Sequence, residues 1–254
     1  MLNDYQKQAE VWDWDGYDDT PEYEYWCEYA KRFGNRVLIP MCAYGQTGAY
    51  MAQKGFHVTA FDITPEMIAE GKRRYGEVKN LELVVADLTD LDLNEKEFDF
   101  AFIAGNGDLH LLQSAQMVGR AFLSIQKHLR TGGCLTMELT LPERESWSYP
   151  KKMFHPRVPN YADKKIWKEN EGRYDAGEKR HYINQTVYIE NNDGIKSFMQ
   201  SVCLQYYERE EILGLLRKCG FTVKSEYRNR EKETWKSGDS SWFVEAVLEA
   251  ANNG

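Results

Sequence analysis

Residues 37–64 read VLIPMCAYGQTGAYMAQKGFHVTAFDIT. An apolar run opens the stretch, a turn-forming segment with Gly45 and Gly48 follows, and a helical segment leads to a second apolar run, His57–Phe61, before Asp62. This order predicts strand, glycine turn, helix, strand and acid. Such a turn lets backbone N–H groups approach a ligand, and an acid that ends the second strand can bind ribose hydroxyls. The stretch therefore predicts a site for a nucleoside-containing cofactor.

The rest of the chain continues the alternation of helices and strands. The predicted elements are a helix over Pro65–Tyr75, strands over Leu81–Ala86, Phe98–Ile103 and Cys134–Thr140, helices over Leu111–Leu129 and Arg209–Cys219, and two final strands over Thr222–Arg228 and Ser241–Leu248. Strands that alternate with helices form a parallel sheet with helices on both faces. We expect an α/β fold, a Rossmann-like doubly wound sheet that is mostly parallel and has a reversed last strand.

The alternation stops between residues 142 and 207. Short runs of alternating polarity are separated there by glycines, and Asn192-Asp193-Gly194 is a strong hairpin signal. We predict a small antiparallel β-sheet inserted at 142–207, which would form a lid on the substrate side. The chain has no repeat or independent linker, so residues 1–254 are expected to form a single domain.

The N-terminal segment, residues 1–35, combines acidic and aromatic side chains. Residues 1–30 carry nine acids against Lys7, which accounts for the whole formal net charge of −8. A disordered tail would be poor in aromatic residues. We expect a helical cover over the site; the alternative is that the rings pack on the outer face of the sheet while the acids only face solvent.

Composition excludes several classes of protein. A net charge of −8 argues against nucleic acid as the main partner, because polyphosphate binding depends on excess Lys and Arg. The sequence shows no apolar stretch of about 20 residues and no signal-peptide pattern, so we expect a cytoplasmic protein without a membrane partner. The five cysteines include no CxxC pair and the five histidines have no metal-ligand spacing, so we expect reduced thiols and no metal site.

The glycine turn alone permits two cofactors. Ala43-x-Gly45-x-x-Gly48 nearly matches the dinucleotide fingerprint, and Asp62 lies 19 residues after Ala43, so an NAD-type oxidoreductase is one alternative. A second acid after the third strand, Asp87, favours a different nucleoside cofactor, as do the segment that follows the fourth strand and the antiparallel strand pair at the end.

On these residues the chain resembles the class I S-adenosylmethionine-dependent methyltransferases over nearly its whole length, and the antiparallel insert resembles members that act on small molecules. The resemblance implies S-adenosylmethionine as the cofactor and a small-molecule N or O acceptor. It implies that Asp62 binds the ribose, that Asp87 and Leu88 lie near the adenine, and that the segment through Asn106 lies beside the methionine end. The full set of implied cofactor residues is Met41, Cys42, Ala43, Gly45, Asp62, Ile63, Met67, Asp87, Leu88, Ala104, Gly105 and Asn106.

The turn departs from the family pattern. The family usually reads acid-x-Gly-x-Gly-x-Gly, and Ile39, Met41, Ala43 and Gly45 occupy those four positions. Ile39 removes the carboxylate that usually orders the turn and interacts with the methionyl amino group, and Ala43 costs little only if its φ is negative. Either other groups hold the methionyl end, such as backbone carbonyls near Ala104 or an N-terminal acid or Tyr, or cofactor affinity is reduced. A non-catalytic binding or regulatory protein is therefore a further alternative.

Methyl transfer needs few dedicated catalytic residues, because the protein mainly aligns the reacting atoms. His110, just after the fourth strand, is the candidate base; the alternative is a surface or capping histidine. Asp108 is equally explained as the N-cap of the following helix.

Residues 151–182 carry a net charge of +4. This basic insert could attract an anionic substrate or pair with the acidic N-terminal segment. The candidate substrate-binding residues are Tyr17, Trp147, Arg157 and His181.

Overall fold

The computed structural model describes residues 6–103, 108–142, 147–158 and 164–250. Its α-helices are α1 Thr20–Ala30, α2 Gln46–Gln53, α3 Pro65–Tyr75, α4 Ala115–Gln126 and α5 Arg209–Lys218. Its strands are β1 Arg36–Pro40, β2 His57–Asp62, β3 Leu81–Val85, β4 Phe98–Ile103, β5 Leu129–Thr140, β6 Tyr149–Phe154, β7 Lys165–Asp175, β8 Arg180–Asn191, β9 Gly194–Gln205, β10 Phe221–Tyr227 and β11 Ser241–Leu248. Short 3-10 helices cover Gln6–Glu10, Leu88–Asp90 and Leu109–Leu111.

The main sheet has seven strands in the order β10-β11-β5-β4-β1-β2-β3. Strands β3, β2, β1, β4 and β5 are parallel, and β11 runs antiparallel to both β5 and β10. This confirms the expected doubly wound sheet with a reversed last strand. The carboxyl ends of β4, β1, β2 and β3 lie side by side in that order, so the loops that follow them share one edge.

The predicted bounds of α4 and the predicted start of β5 are wrong. The helix predicted to reach Leu129 ends at Gln126, and β5 already begins at Leu129. Leu129 pairs with Phe98 of β4, and the Arg130 side chain donates a hydrogen bond of 2.6 Å to Asp99. These long-range contacts extend the strand, whereas the apolar pattern of the segment alone favours helix.

Two apolar clusters cover the two faces of the main sheet. On one face Trp26 of α1 stacks on Phe102 of β4 with ring centroids 4.3 Å apart, and Tyr29 packs beside Phe100. The rings of α1 therefore pack on the sheet, which was the alternative to a cover.

A second sheet of four antiparallel strands has the order β6-β7-β8-β9. Asn191 pairs with Gly194 across the β8–β9 turn, which confirms the predicted hairpin. Gly194 has a φ of +116°, a conformation that glycine adopts without steric cost. The strands are longer than the polarity runs that predicted them, because inter-strand pairing continues through residues whose polarity does not alternate.

Residues before α1 connect the two sheets. Val11 is completely buried against Ile166, Val187 and Ile189 of the second sheet. On the other side, Asp13 pairs with Arg74 of α3 at 2.9 Å. The acidic segment thus contacts both the main sheet's helices and the insert.

Two sequence expectations concern the whole chain. All five cysteines are free, three of them buried. No helix within the described residues has the length and apolar character to span a membrane.

Candidate active site

A cavity of about 200 Å³, several times the space of one water molecule, opens at the carboxyl edge of the main sheet. The lining comes from the N-terminal segment and from the loops after β1, β2, β3 and β4. It consists of Trp12, Met41, Ala43, Phe61, Asp62, Ile63, Thr64, Met67, Ala86, Asp87, Leu88, Asp108, Leu111, Leu112 and Met117. Seven of the predicted cofactor residues are among them: Met41, Ala43, Asp62, Ile63, Met67, Asp87 and Leu88.

The turn after β1 keeps a glycine-type backbone although Met41 and Ala43 replace two of the glycines. Met41, Ala43 and Gly45 have φ values of 55°, 50° and 83°. All three lie in the left-handed region, where a side chain costs roughly 1–3 kcal/mol per residue. Ala43 therefore does not have the negative φ at which its side chain would cost little. The backbone shape of the turn is maintained at the expense of local strain.

Hydrogen bonds from the neighbouring strand hold this strained turn. The Cys42 N–H donates to the Phe61 carbonyl at 3.0 Å, and the Ala43 N–H donates to Asp62 Oδ2 at 3.0 Å. Within the turn, the Gly45 N–H donates to the Cys42 carbonyl at 2.8 Å. A carboxylate thus does order the turn, but it comes from the end of β2 rather than from β1.

Side chains of the turn add a second support. Tyr44 is fully buried, its ring lies under the Arg74 guanidinium at 4.4 Å, and Arg74 pairs in turn with Asp13. The backbone of Tyr44 is so close to α3 that a Cβ on Gly71 would lie 2.4 Å from the Tyr44 carbonyl oxygen. The N-terminal segment, α3 and the turn are therefore packed as one unit.

Asp62 is the central acid of the cavity. Burial raises the pKa of its carboxyl, while hydrogen bonds from the Thr64, Ala43 and Ile63 backbone oppose that rise. Its Oδ1 accepts the Thr64 N–H at 2.9 Å. Each oxygen keeps a second lone pair, so the carboxylate can also accept the hydroxyls of a ribose.

An apolar slot lies next to Asp62. Ile63 is 59% exposed although it is a large aliphatic residue, and it lines the cavity together with Leu88 and Met67. Asp87 Oδ1 accepts hydrogen bonds from the Thr89 N–H at 2.7 Å and from its hydroxyl at 2.8 Å, which fixes the 3-10 helix Leu88–Asp90. The slot suits a flat heteroaromatic base, and the second oxygen of Asp87 can accept a hydrogen bond from it.

Ile39 does not reach this cavity. It is 4% exposed and belongs to the apolar cluster of Trp26, Phe100 and Phe102. An acid with that orientation would be buried against aromatic rings, which costs several kcal/mol without a partner. The aliphatic residue at position 39 therefore fits the packing of α1 on the sheet.

Asp108 forms part of the cavity wall after β4. Asp108 occupies the N-cap position of the 3-10 helix Leu109–Leu111, but within the described part of the chain its side chain makes no capping hydrogen bond. Burial raises the pKa of its carboxyl well above the usual value, and the charges of Asp62 and Glu22 raise it further. Its position in the sequence gave no signal that distinguished it from a cap.

His110, the predicted base, is 1% exposed and is not among the cavity residues. Its Nδ1 lies 3.0 Å from the Gln205 carbonyl oxygen, and its ring packs on Tyr206 at 4.5 Å. Burial lowers its pKa to about 4, although the Gln205 and Thr140 backbone oxygens favour the protonated ring. A catalytic role for His110 stays a prediction; its contacts join the loop after β4 to β9.

None of the four predicted substrate residues is among the described residues that line the cavity. Arg157 covers the Tyr17 ring at 4.2 Å and lies 3.8 Å from the Asp15 carboxylate. Trp147 packs on Tyr174 and Tyr206, and His181 is buried beside it. The contacts of Arg157 match the predicted pairing between the basic insert and the acidic segment.

The remaining predicted residues have other positions. Cys42 and Gly45 belong to the turn but do not line the cavity, and a Cβ on Gly45 would lie 2.6 Å from a Leu83 methyl. Ala104, Gly105 and Asn106 lie outside the described residues. The lining residues that sequence reasoning missed are Trp12, Phe61, Thr64, Ala86, Asp108, Leu111, Leu112 and Met117. Trp12 belongs to the aromatic N-terminal segment, whose composition does not distinguish it from the other rings.

Residues 37–133 match a family model described as a methyltransferase domain. This match and the fold support the class I S-adenosylmethionine-dependent methyltransferase family for the chain. A putative methyltransferase, YqeM of Bacillus subtilis (strain 168), is 21% identical over 198 residues, 78% of each chain.

Two solved structures share the fold of this methyltransferase. An S-adenosylmethionine-dependent methyltransferase from Clostridium acetobutylicum ATCC 824 has a TM-score of 0.78 at 16% identity, covering 98% of this chain and 100% of that one. The sugar N-methyltransferase KedS8 from Streptoalloteichus sp ATCC 53650 has a TM-score of 0.74 at 16% identity, covering 92% of this chain and 90% of that one. At these identities the likeness is one of fold.

The residues of the cavity fit the methyltransferase cofactor, S-adenosylmethionine. Asp62 lies among the lining residues and can accept the hydroxyls of a ribose, and the apolar slot of Ile63 and Leu88 beside it can accommodate a flat base. The turn beside Met41 and Ala43 faces open space rather than packed side chains, which argues against the non-catalytic alternative. The family match likewise favours a methyltransferase over an NAD-type oxidoreductase.

Proposed function

We propose that this methyltransferase methylates a small molecule and that, of the nitrogen and oxygen acceptors predicted, the acceptor is an amine nitrogen. The observation that carries the proposal is the single cavity that brings Asp62, Asp87 and Asp108 to one edge of the sheet. Bound S-adenosylmethionine supplies a methyl group on a positively charged sulfur. The residues of this chain bind and orient the two reactants, and they exclude water from the cavity.

Positioning is the main contribution expected from these residues. Asp62 accepts the ribose hydroxyls, and Ile63 and Leu88 hold the base between them. Holding two reactants in line supplies roughly 7–11 kcal/mol of the barrier reduction. Trp12 and Leu112, which line the cavity with apolar surface, keep water away from the reacting atoms.

The charge around the cavity supports an amine acceptor. Burial raises the pKa of Asp108 and of Asp19, and neighbouring carboxylates raise both further. Glu22 acts on Asp108. Glu22 and Asp15 act on Asp19. Arg230 and Arg157 pair with Glu22 and Asp15 and balance part of this charge. The remaining negative potential attracts a protonated amine as it approaches. The sugar N-methyltransferase KedS8, which shares the fold, provides a precedent for a nitrogen acceptor.

We also propose that, of residues 1–35, the part before α1 forms the cover, and that residues 142–207 form the lid on the substrate side. Trp12 lines the cavity while the adjacent Val11 is buried in the second sheet, so one short segment contacts both. The substrate roles of Tyr17, Trp147, Arg157 and His181 stay predictions. They are best tested by the acceptor KM of each alanine variant once an acceptor is known.

The acceptor atom can be tested with matched pairs of compounds. Free and nucleotide-linked amino sugars are each assayed beside the parent sugar with a hydroxyl at the same position, and S-adenosylhomocysteine formation is measured. We expect turnover of one or more amines and no turnover of their hydroxyl partners. Turnover of the hydroxyl compounds alone would overturn the amine assignment, and failure to bind S-adenosylhomocysteine would overturn the cofactor assignment.

A further inference from the structure

The order of strands fixes the order of groups along the cavity. Along the carboxyl edge of the sheet from β3 to β4, Asp87 follows β3, Asp62 ends β2, the turn follows β1, and Asp108 lies after β4. Adjacent strands are about 4.8 Å apart, so the two ends of this row are separated by roughly 14 Å. With the base in the slot between Asp62 and Asp87, a ligand that extends past the ribose passes over the turn and reaches Asp108.

The far end of S-adenosylmethionine is an amino acid with a positively charged ammonium group. A charge in a partly buried cavity requires an opposite charge or several hydrogen bonds. Three carboxylates line the cavity among the described residues: Asp62, Asp87 and Asp108. Asp62 holds the turn amide and Asp87 caps the 3-10 helix, whereas Asp108 makes no capping bond.

Asp108 is also near the turn itself. Burial raises the pKa of the Cys42 thiol, and the charges of Asp62 and Asp108 raise it further, so Asp108 lies within electrostatic range of the segment between Met41 and Ala43. Glu22 is also within electrostatic range of Asp108. A cation placed there removes the repulsion between Asp108 and these two carboxylates.

We propose that the Asp108 carboxylate binds the α-ammonium group of the methionyl end of S-adenosylmethionine. Asp108 thereby provides from the β4 side the negative charge that Ile39 cannot provide from β1. This inference rests on S-adenosylmethionine as the cofactor. It does not depend on the identity of the acceptor.

The test compares ligands that differ only at the methionyl end. S-adenosylhomocysteine carries the ammonium, its deaminated analogue lacks only that group, and 5′-methylthioadenosine lacks the whole amino acid part. Dissociation constants are measured by calorimetry for the unmodified protein and for Asp108→Asn. We expect the variant to bind S-adenosylhomocysteine about 10- to 100-fold more weakly, the range for losing a hydrogen bond between charged groups.

The other two ligands serve as internal controls. Asp108→Asn should bind 5′-methylthioadenosine and the deaminated analogue within about twofold of the unmodified protein, since neither contains the charge that Asp108 binds. Asp62→Asn is the matched variant and should weaken all three ligands. An equal loss for all three ligands in Asp108→Asn would overturn the proposal in favour of a structural role.

Two further measurements keep the proposal falsifiable. If Asp108→Asn lowers kcat while the affinity for S-adenosylhomocysteine is unchanged, Asp108 acts as a base and the proposal is wrong. If Asp108→Asn does not fold, the unmodified protein is titrated in buffers of different ionisation enthalpy. S-adenosylhomocysteine should then release more protons than 5′-methylthioadenosine, and equal release would contradict the proposal. Failure of the unmodified protein to bind any of the three would instead refute the cofactor.

Discussion

The two ends of the cavity differ in how far they follow the family pattern. At the end that we propose for adenosine, called the adenosine end, Asp62 and Asp87 are present at the strand ends and an exposed apolar side chain, Ile63, lines the cavity with them. At the methionyl end the usual acid is replaced by Ile39, and two of the glycines are replaced by Met41 and Ala43. Even so, the backbone of the turn keeps its left-handed conformation.

This difference shows that the shape of the turn and its charge are separable. The shape is maintained by hydrogen bonds that amides of the turn donate to Phe61 and Asp62 of β2, and by the packing of Tyr44 beneath Arg74. The charge is not maintained at the same place, because Ile39 is buried in the aromatic cluster under α1. We therefore expect substitutions at the adenosine end to weaken cofactor binding. At the methionyl end, we expect glycine substitutions in the turn to relieve strain, an effect that a turn with the usual glycines would not show.

Asp62→Ala should have the largest effect, because it removes the ribose acceptor and the partner of two backbone amides. We expect binding of both S-adenosylhomocysteine and 5′-methylthioadenosine to weaken on the order of 100-fold, and the free energy of unfolding to fall by about 2 kcal/mol. Calorimetry and urea denaturation measure the two effects. Asp62→Asn keeps one acceptor oxygen and should lose less stability; unchanged affinity in Asp62→Ala would refute the ribose assignment.

His110 makes the stability of the folded protein sensitive to acid. Its pKa is about 4 in the folded protein against 6.5 as the ordinary value, so the unfolded chain takes up the proton first. Stability is therefore complete above pH 6.5 and is lost as the pH falls below it, by about 2 kcal/mol at pH 5. Urea denaturation at about pH 7.5 and about pH 5 measures this loss.

The matched variant for this measurement is His110→Asn, whose amide can still donate to the Gln205 carbonyl but does not titrate. It should be less stable than the unmodified protein at about pH 7.5, because it loses the contact with the Tyr206 ring. Its further loss on acidification should be smaller. If both proteins lose the same stability between the two pH values, His110 is not the group responsible.

Ala43→Gly tests the strain in the turn. Glycine adopts a φ of 50° without steric cost, and the buried Ala43 methyl contributes little. We expect the variant to be about 1 kcal/mol more stable, which corresponds to a rise in Tm of about 2–4 °C.

Met41→Gly provides the comparison for this prediction. It relieves a similar φ but also removes a side chain that packs on the core, so its gain should be smaller than that of Ala43→Gly. A loss of stability in Ala43→Gly would show that the turn is not strained at that position.

The smallest effect is expected outside the cavity, at Arg157. Its ion pair with Asp15 is exposed, and exposed pairs contribute about 0–1 kcal/mol. Arg157→Ala should change the free energy of unfolding by no more than that and leave the affinity for S-adenosylhomocysteine unchanged. Weaker cofactor binding in this variant would show that the contact between the N-terminal segment and the insert also determines the shape of the cavity.

The sequence by itself determined the order of strands and helices, the antiparallel insert and the two acids of the adenosine end. These features depend on local patterns: apolar periodicity, glycine and proline at element ends, and an acid directly after a strand. An acid at the end of a parallel strand can only lie at the carboxyl edge of the sheet. For Asp62 and Asp87, the element boundary therefore already fixes the position in the fold.

The methionyl end was decided by tertiary structure alone. His110 and Asp108 are two residues apart in one loop, yet the first is buried against β9 and the second lines the cavity. Likewise, Ile39 lies under α1, and Ala43 has a positive φ because Asp62 holds its amide. Side-chain direction in a loop and backbone strain in a turn depend on what packs against them from distant parts of the chain, and no local pattern encodes those contacts.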